Sequence, residues 1–152
     1  MCADNHAQIG RWHLFSDLNP VSLEIIHSAG TLSHSGGAAF GASCLSATKT
    51  YNFFIENADL AKLPFGSKVE IGFRLSNEIP FRVLGLSNGN GRVYIDQKLE
   101  ETSFKLLGLN IQLFDNSGYL GATIGAYKWL FPLNGASSAL DALVDRCGFP
   151  VD

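Results

Sequence analysis

Val69-Glu70-Ile71-Gly72-Phe73-Arg74-Leu75 is the stretch that decides how this chain is read. Val69, Ile71, Phe73 and Leu75 recur at every second position, with Glu70, Gly72 and Arg74 between them. Successive side chains of an extended strand point to opposite faces, so the alternation predicts a strand with one buried and one wetted face. Downstream, residues 81–86 and 92–96 are apolar runs joined by Ser87-Asn88-Gly89-Asn90-Gly91. Asn and Gly tolerate the positive φ of tight turns, so this segment predicts a hairpin. Residues 110–114 and 119–124 flank Asp115-Asn116-Ser117-Gly118 and predict a second hairpin. Residues 128–133 read as a last strand, and Pro132 places it at an edge or a strand end.

Upstream, residues 10–15 and 21–26 are short apolar runs separated by Asp17-Leu18-Asn19-Pro20. Residues 28–38 are small and polar and read as a loop. Residues 39–45 read as a buried strand of small side chains, and 50–56 (TYNFFIE) have strong β composition. The character changes at 136–147, where Leu140, Leu143, Val144 and Cys147 fall at i, i+3, i+4 and i+7. That spacing predicts a helix with one apolar stripe, N-capped by Asn134, followed by Gly148 and stopped by Pro150. Three turns are not stable alone, so the stripe must dock on the sheet. The expected fold class is therefore mainly β, an antiparallel sandwich or barrel-like domain with one short C-terminal α-helix. The 152 residues suit one domain. They divide into a flexible N-terminus over residues 1–8 and a single β-rich domain over residues 9–150.

Charge removes some functions. The chain is 16% charged with a net charge of −3, and its Lys and Arg are scattered singly. A nucleic-acid binder needs a basic stripe to neutralise phosphates, and none is present. No stretch approaches the ~20 apolar residues of a membrane helix. The low-charge region 106–126 is interrupted by Asn110, Gln112, Asp115 and Asn116. The opening, MCADNHAQ, is polar rather than a signal peptide, which fits either a cytoplasmic protein or a chain starting just after a removed signal.

The three cysteines, Cys2, Cys44 and Cys147, include no CxxC pair, which excludes zinc ribbons and thioredoxin-like sites. In one reading Cys2 is the lipidated first residue of a mature lipoprotein, and Cys44 pairs with Cys147 in a disulfide. That places the protein in the periplasm or cell envelope. In the other, all are buried reduced thiols of a cytoplasmic protein. The exported reading is the one preferred here.

No catalytic pattern stands out. There is no G-x-S-x-G elbow, and Ser33-His34-Ser35-Gly36-Gly37 lacks its leading glycine. Cys44 lies among small apolar residues rather than in an electropositive pocket. His6, His13, His27 and His34 are spaced by seven or more residues, too far apart for close ligand spacing, and read as exposed loop histidines. The glycine-rich 85–92 segment runs into a strand rather than the helix that a phosphate-binding loop requires. Glu100 and Glu101 are adjacent and read as a solvated loop. No catalytic, cofactor or metal residues are assigned and no cofactor is expected. Trp12 and Trp129 are placed at sheet ends.

The segments GRWHLF, GGAAFGASC and FPLNGASSALDALVDRC form a further pattern, carried mostly by Phe131, Leu133, Gly135, Ala139, Leu140, Leu143 and Cys147. It resembles the small periplasmic β proteins of the invasion-associated locus B family of α-proteobacteria. The resemblance implies an exported β-sandwich-like domain and carries no enzymatic residue over. The resulting expectation is a non-enzymatic envelope protein, binding or structural, with a protein or envelope partner. Its rivals are an inhibitor or immunity-type protein acting by surface binding, and a small hydrolase using His27 or His34.

Overall fold

The computed structural model describes residues 11–148 except 19, 46, 77 and 114–117. The expected flexible N-terminus, with Cys2 and His6, lies outside the described residues, as does Pro150.

The strands are β1 (His13–Leu18), β2 (Ile25–Leu32), β3 (Ala39–Leu45), β4 (Thr50–Glu56), β5 (Lys68–Leu75), β6 (Phe81–Ser87), β7 (Arg92–Asp96), β8 (Tyr119–Ile124) and β9 (Tyr127–Pro132). The helices are α1 (Glu101–Leu113) and α2 (Ala136–Cys147). All nine strands form one antiparallel sheet in the order β1-β2-β3-β4-β7-β6-β5-β8-β9, curled into a half-barrel. The fold is thus mainly antiparallel β with a short C-terminal helix, as expected.

Alternation on β5 is clean. Val69, Ile71, Phe73 and Leu75 are buried, while Glu70 and Arg74 are exposed. The inward residues meet an aromatic cluster in the hollow of the sheet. Phe40 lies 6.0 Å from Phe73, 6.0 Å from Phe53, 5.5 Å from Phe131 and 5.7 Å from Trp12 between ring centroids. Both helices close this hollow. α2 docks on β1, β2 and β3 through Ala136, Ala139, Leu143 and Cys147. α1 buries Leu107 and Ile111 and sets Phe104 4.8 Å from Phe53.

Trp12 ties the start of the described chain to the last strand. It is 4% exposed, and its indole N–H donates to the Pro132 carbonyl at 2.8 Å. Its backbone N–H donates to Asn134 at 3.1 Å, which draws the two ends of the sheet toward each other. The small residues of β2 and β3 have a steric reason. A Cβ on Gly41 would collide with the Ala29 carbonyl oxygen and lie 2.7 Å from the Gly30 Cα, both backbone atoms that cannot swing away. Glycine is needed where two backbones approach this closely.

Several expectations need correction. Of the strand expected over 110–114, residues 110–113 instead end α1. Phe104, Leu107 and Ile111 fall at i, i+3 and i+7, a helical stripe, and a short apolar run cannot be assigned by periodicity alone. The described residues therefore contain two α-helices. Glu101 opens α1 rather than lying in a loop, and it pairs with Lys105 one turn on at 2.7 Å. The supposed loop 28–38 is strand as far as Leu32, since Ser28, Ala29 and Gly30 pair with Ser43, Ala42 and Gly41. Asn134 does not cap α2. The capping position is Gly135, in the left-handed region at φ 82°, with no side-chain cap bond.

Candidate functional site

The candidate site lies on the outer face of β5, β8 and β9. The alternation that buries Phe73 turns Gly72 and Arg74 away from the core. On β8 it turns Gly121 and Thr123 the same way, and on β9 Lys128 and Leu130. The strand register assembles them into two rows. Arg74 lies opposite Gly121, which lies opposite Leu130; Gly72 lies opposite Thr123, which lies opposite Lys128. The turn after β2 completes one wall. His34 donates its backbone N–H to the Leu130 carbonyl at 2.7 Å and sets its ring edge-on to Tyr119, 6.4 Å away. Pro80 stands on the other wall.

The result is an open groove of about 600 Å³. A second hollow of about 420 Å³ adjoins it and shares Arg74, Gly121 and Leu130. The larger volume is within the ~300–1,000 Å³ of small-molecule sites. Its electrostatics are one-sided. No carboxylate lines either hollow, whereas Arg74, Lys128 and His34 do. Among the described residues Arg74 and Lys128, like Lys68 and Lys98, have no ion-pair partner, whereas Arg82 is held by Glu70, Arg92 by Glu56 and Lys105 by Glu101.

The two floor glycines differ from Gly30 and Gly41. Gly72 and Gly121 have no positive φ. A Cβ at Gly72 would come no closer than 3.8 Å to Thr123, and one at Gly121 no closer than 3.6 Å to the Arg74 carbonyl. Neither backbone geometry nor crowding requires glycine at these positions, and glycine weakens a strand interior. What it does there is keep the groove floor bare.

The histidines fall in separate places. His34 is on the groove rim. His13 and His27 are strand residues, partly buried, and not the exposed loop histidines expected. His27 faces α2 in the row that holds Cys44. Its Nδ1 is 2.7 Å from the Ser16 hydroxyl, to which Arg146 also donates at 3.3 Å. Burial first, and the Arg146 charge second, hold the His27 pKa below its ordinary value. A serine hydrolase needs the reverse, a carboxylate that stabilises the imidazolium formed when the base takes the serine proton. Here the third group is a cation, so the Ser16–His27 contact serves as a cross-strand hydrogen bond.

That contact has a pH signature. Because the folded pKa lies below the unfolded value of 6.5, the unfolded chain binds more protons as pH falls through that value. The contribution to stability is then complete above it and lost below it. The melting temperature should fall between about pH 7.5 and 5.5, and His27→Gln should flatten that slope. Superimposable pH profiles of the two proteins would refute the assignment.

Among the described residues no group of three or more His, Cys, Asp or Glu side chains could hold a metal. Likewise none of the described helices is long and apolar enough to cross a membrane. Cys44 and Cys147 form a disulfide, with Cα atoms 6.5 Å apart, as the cysteine arithmetic anticipated. Tyr51 adds a second tie to the end of α2, its hydroxyl donating to the Gly148 carbonyl.

No family model, curated protein or solved structure matches the chain. The groove therefore stands on its own geometry. Sequence reasoning named His34 but missed Arg74, Lys128, Gly72 and Gly121 as a group. β5 and β8 are neighbours only after β6, β7 and α1 have intervened, and no local pattern announces that pairing. The available signal was Gly72 within the β5 alternation, on the same face as Arg74.

Proposed function

We propose that this chain is an exported, non-enzymatic binding domain that takes its ligand in the groove over β5, β8 and β9. The observation that carries the reading is the bare floor at Gly72 and Gly121, where the strand geometry leaves room for a side chain and none is present. A stable surface gains from covering a sheet, whereas a binding surface needs the space. The Cys44–Cys147 disulfide supports export, since such bonds persist in oxidising compartments. The resemblance to invasion-associated locus B proteins favours the same compartment. A periplasmic or envelope location, with Cys2 as a lipid anchor, is the form of this reading in which the domain stays near the membrane.

Protein isolated from its own cells should carry no alkylatable thiol at Cys44 or Cys147 until reduced. Its native mass spectrum should show a bound species that is absent from Gly121→Leu. Free thiols at both positions would remove the exported assignment, and identical spectra of the two proteins would remove the groove as binding site.

A further inference from the structure

We infer that the groove binds a carboxylate carried on an alkyl chain, an amphiphilic anion of fatty-acid type. This rests on the groove being the binding surface. Three features define the class. The first is charge: Arg74 and Lys128 flank the floor with no ion-pair partner among the described residues, and no carboxylate lines either hollow. In a chain of net charge −3, two cations left uncompensated at one groove favour an anionic occupant. Arg in particular presents a planar fork that matches a carboxylate.

The second feature is apolarity. Leu130 is 45% exposed and Tyr119 44% exposed, beside the bare glycine floor. Pro80 and Trp129 add further apolar lining. Exposed apolar side chains around one hollow mark a ligand groove or contact site. The third feature is extent. The two hollows adjoin along Arg74, Gly121 and Leu130, and a ligand reaching across both is better served by a chain than by a compact ring. The carboxylate sits between Arg74 and Lys128, and the chain runs over Gly121 toward Tyr119.

The test is calorimetric titration of the full chain with decanoate and with decyltrimethylammonium, both kept below their micelle concentrations. Decanoate should bind saturably at one site, more weakly in high salt, and the cationic amphiphile should not. Arg74→Gln and Lys128→Gln should each weaken decanoate by roughly three- to tenfold, with melting curves unchanged. Gly121→Leu should abolish binding. Equal binding of both amphiphiles, lost in Gly121→Leu, would overturn the anionic class while leaving the groove as binding surface. Decanoate binding that survives Gly121→Leu, or no saturable binding of either amphiphile, would overturn the proposal. If Gly121→Leu does not fold, Arg74→Gln with Lys128→Gln decides the same point, because both side chains are exposed and neither supports the core.

Discussion

Cys147→Ser, or reduction of the wild-type protein, should lower stability by up to about 4.7 kcal/mol, the chain-entropy value for a loop of roughly 100 residues. The bond joins positions 103 residues apart. Natural domains are stable by only about 5–15 kcal/mol, so the loss is a large share of the total. It should also be localised. α2 has three turns and depends on Ala136, Ala139 and Leu143 to remain on β1, β2 and β3, and without its covalent end it lacks the length to persist alone. Urea unfolding with and without reductant measures the loss, and hydrogen exchange should show α2 amides opening before those of β5. Oxidised and reduced midpoints that coincide would mean that apolar contacts alone hold the helix. The double variant Cys44→Ala with Cys147→Ala separates the missing bond from a single stranded thiol.

Phe73→Ala should cost about 3–5 kcal/mol, the range for emptying a buried aromatic site. Arg74→Ala, its neighbour in the chain, should stay within about 0.5 kcal/mol. Phe73 is 1% exposed and its ring lies 6.0 Å from Phe40 and 5.9 Å from Phe81, so removing it leaves a void lined by rings that cannot all collapse inward. Arg74 points the other way and has no ion-pair partner among the described residues to lose. Denaturant unfolding of both variants reads the difference. Equal losses would mean that the strand is flipped, because a one-residue slip exchanges the two faces.

The legibility of this chain in its sequence follows the range of the interactions. The faces of β5, the 87–91 hairpin and α2 rest on neighbours close in sequence, such as Val69 beside Ile71 or Leu140 beside Val144, and all are readable there. The disulfide was also within reach, because Cys44 on a strand of small residues and Cys147 on a helix stripe need little more than docking to meet. α1 was lost to a turn-like segment after it, since Asn110 and the 115–118 residues resemble a hairpin approach while Phe104 and Leu107 set the actual period. The groove was the least legible part. Its two cations look like ordinary scattered charges until β8 is laid against β5, and Gly121 looks like any turn-prone glycine until its φ and its surroundings are known.

The bond between Cys44 and Cys147 has a consequence for how the molecule ages outside a cell. It closes a covalent ring that contains the last two residues of β3, every later strand and both helices. A peptidase cutting any exposed turn inside that ring, such as the one bearing Phe65 (81% exposed), would open the backbone without freeing a fragment. The nicked molecule would gain only the mass of one water, and its severed halves would stay hydrogen-bonded strand to strand. Separating them would take a reducing agent together with a denaturant, so a single cut leaves the molecule in one covalent piece.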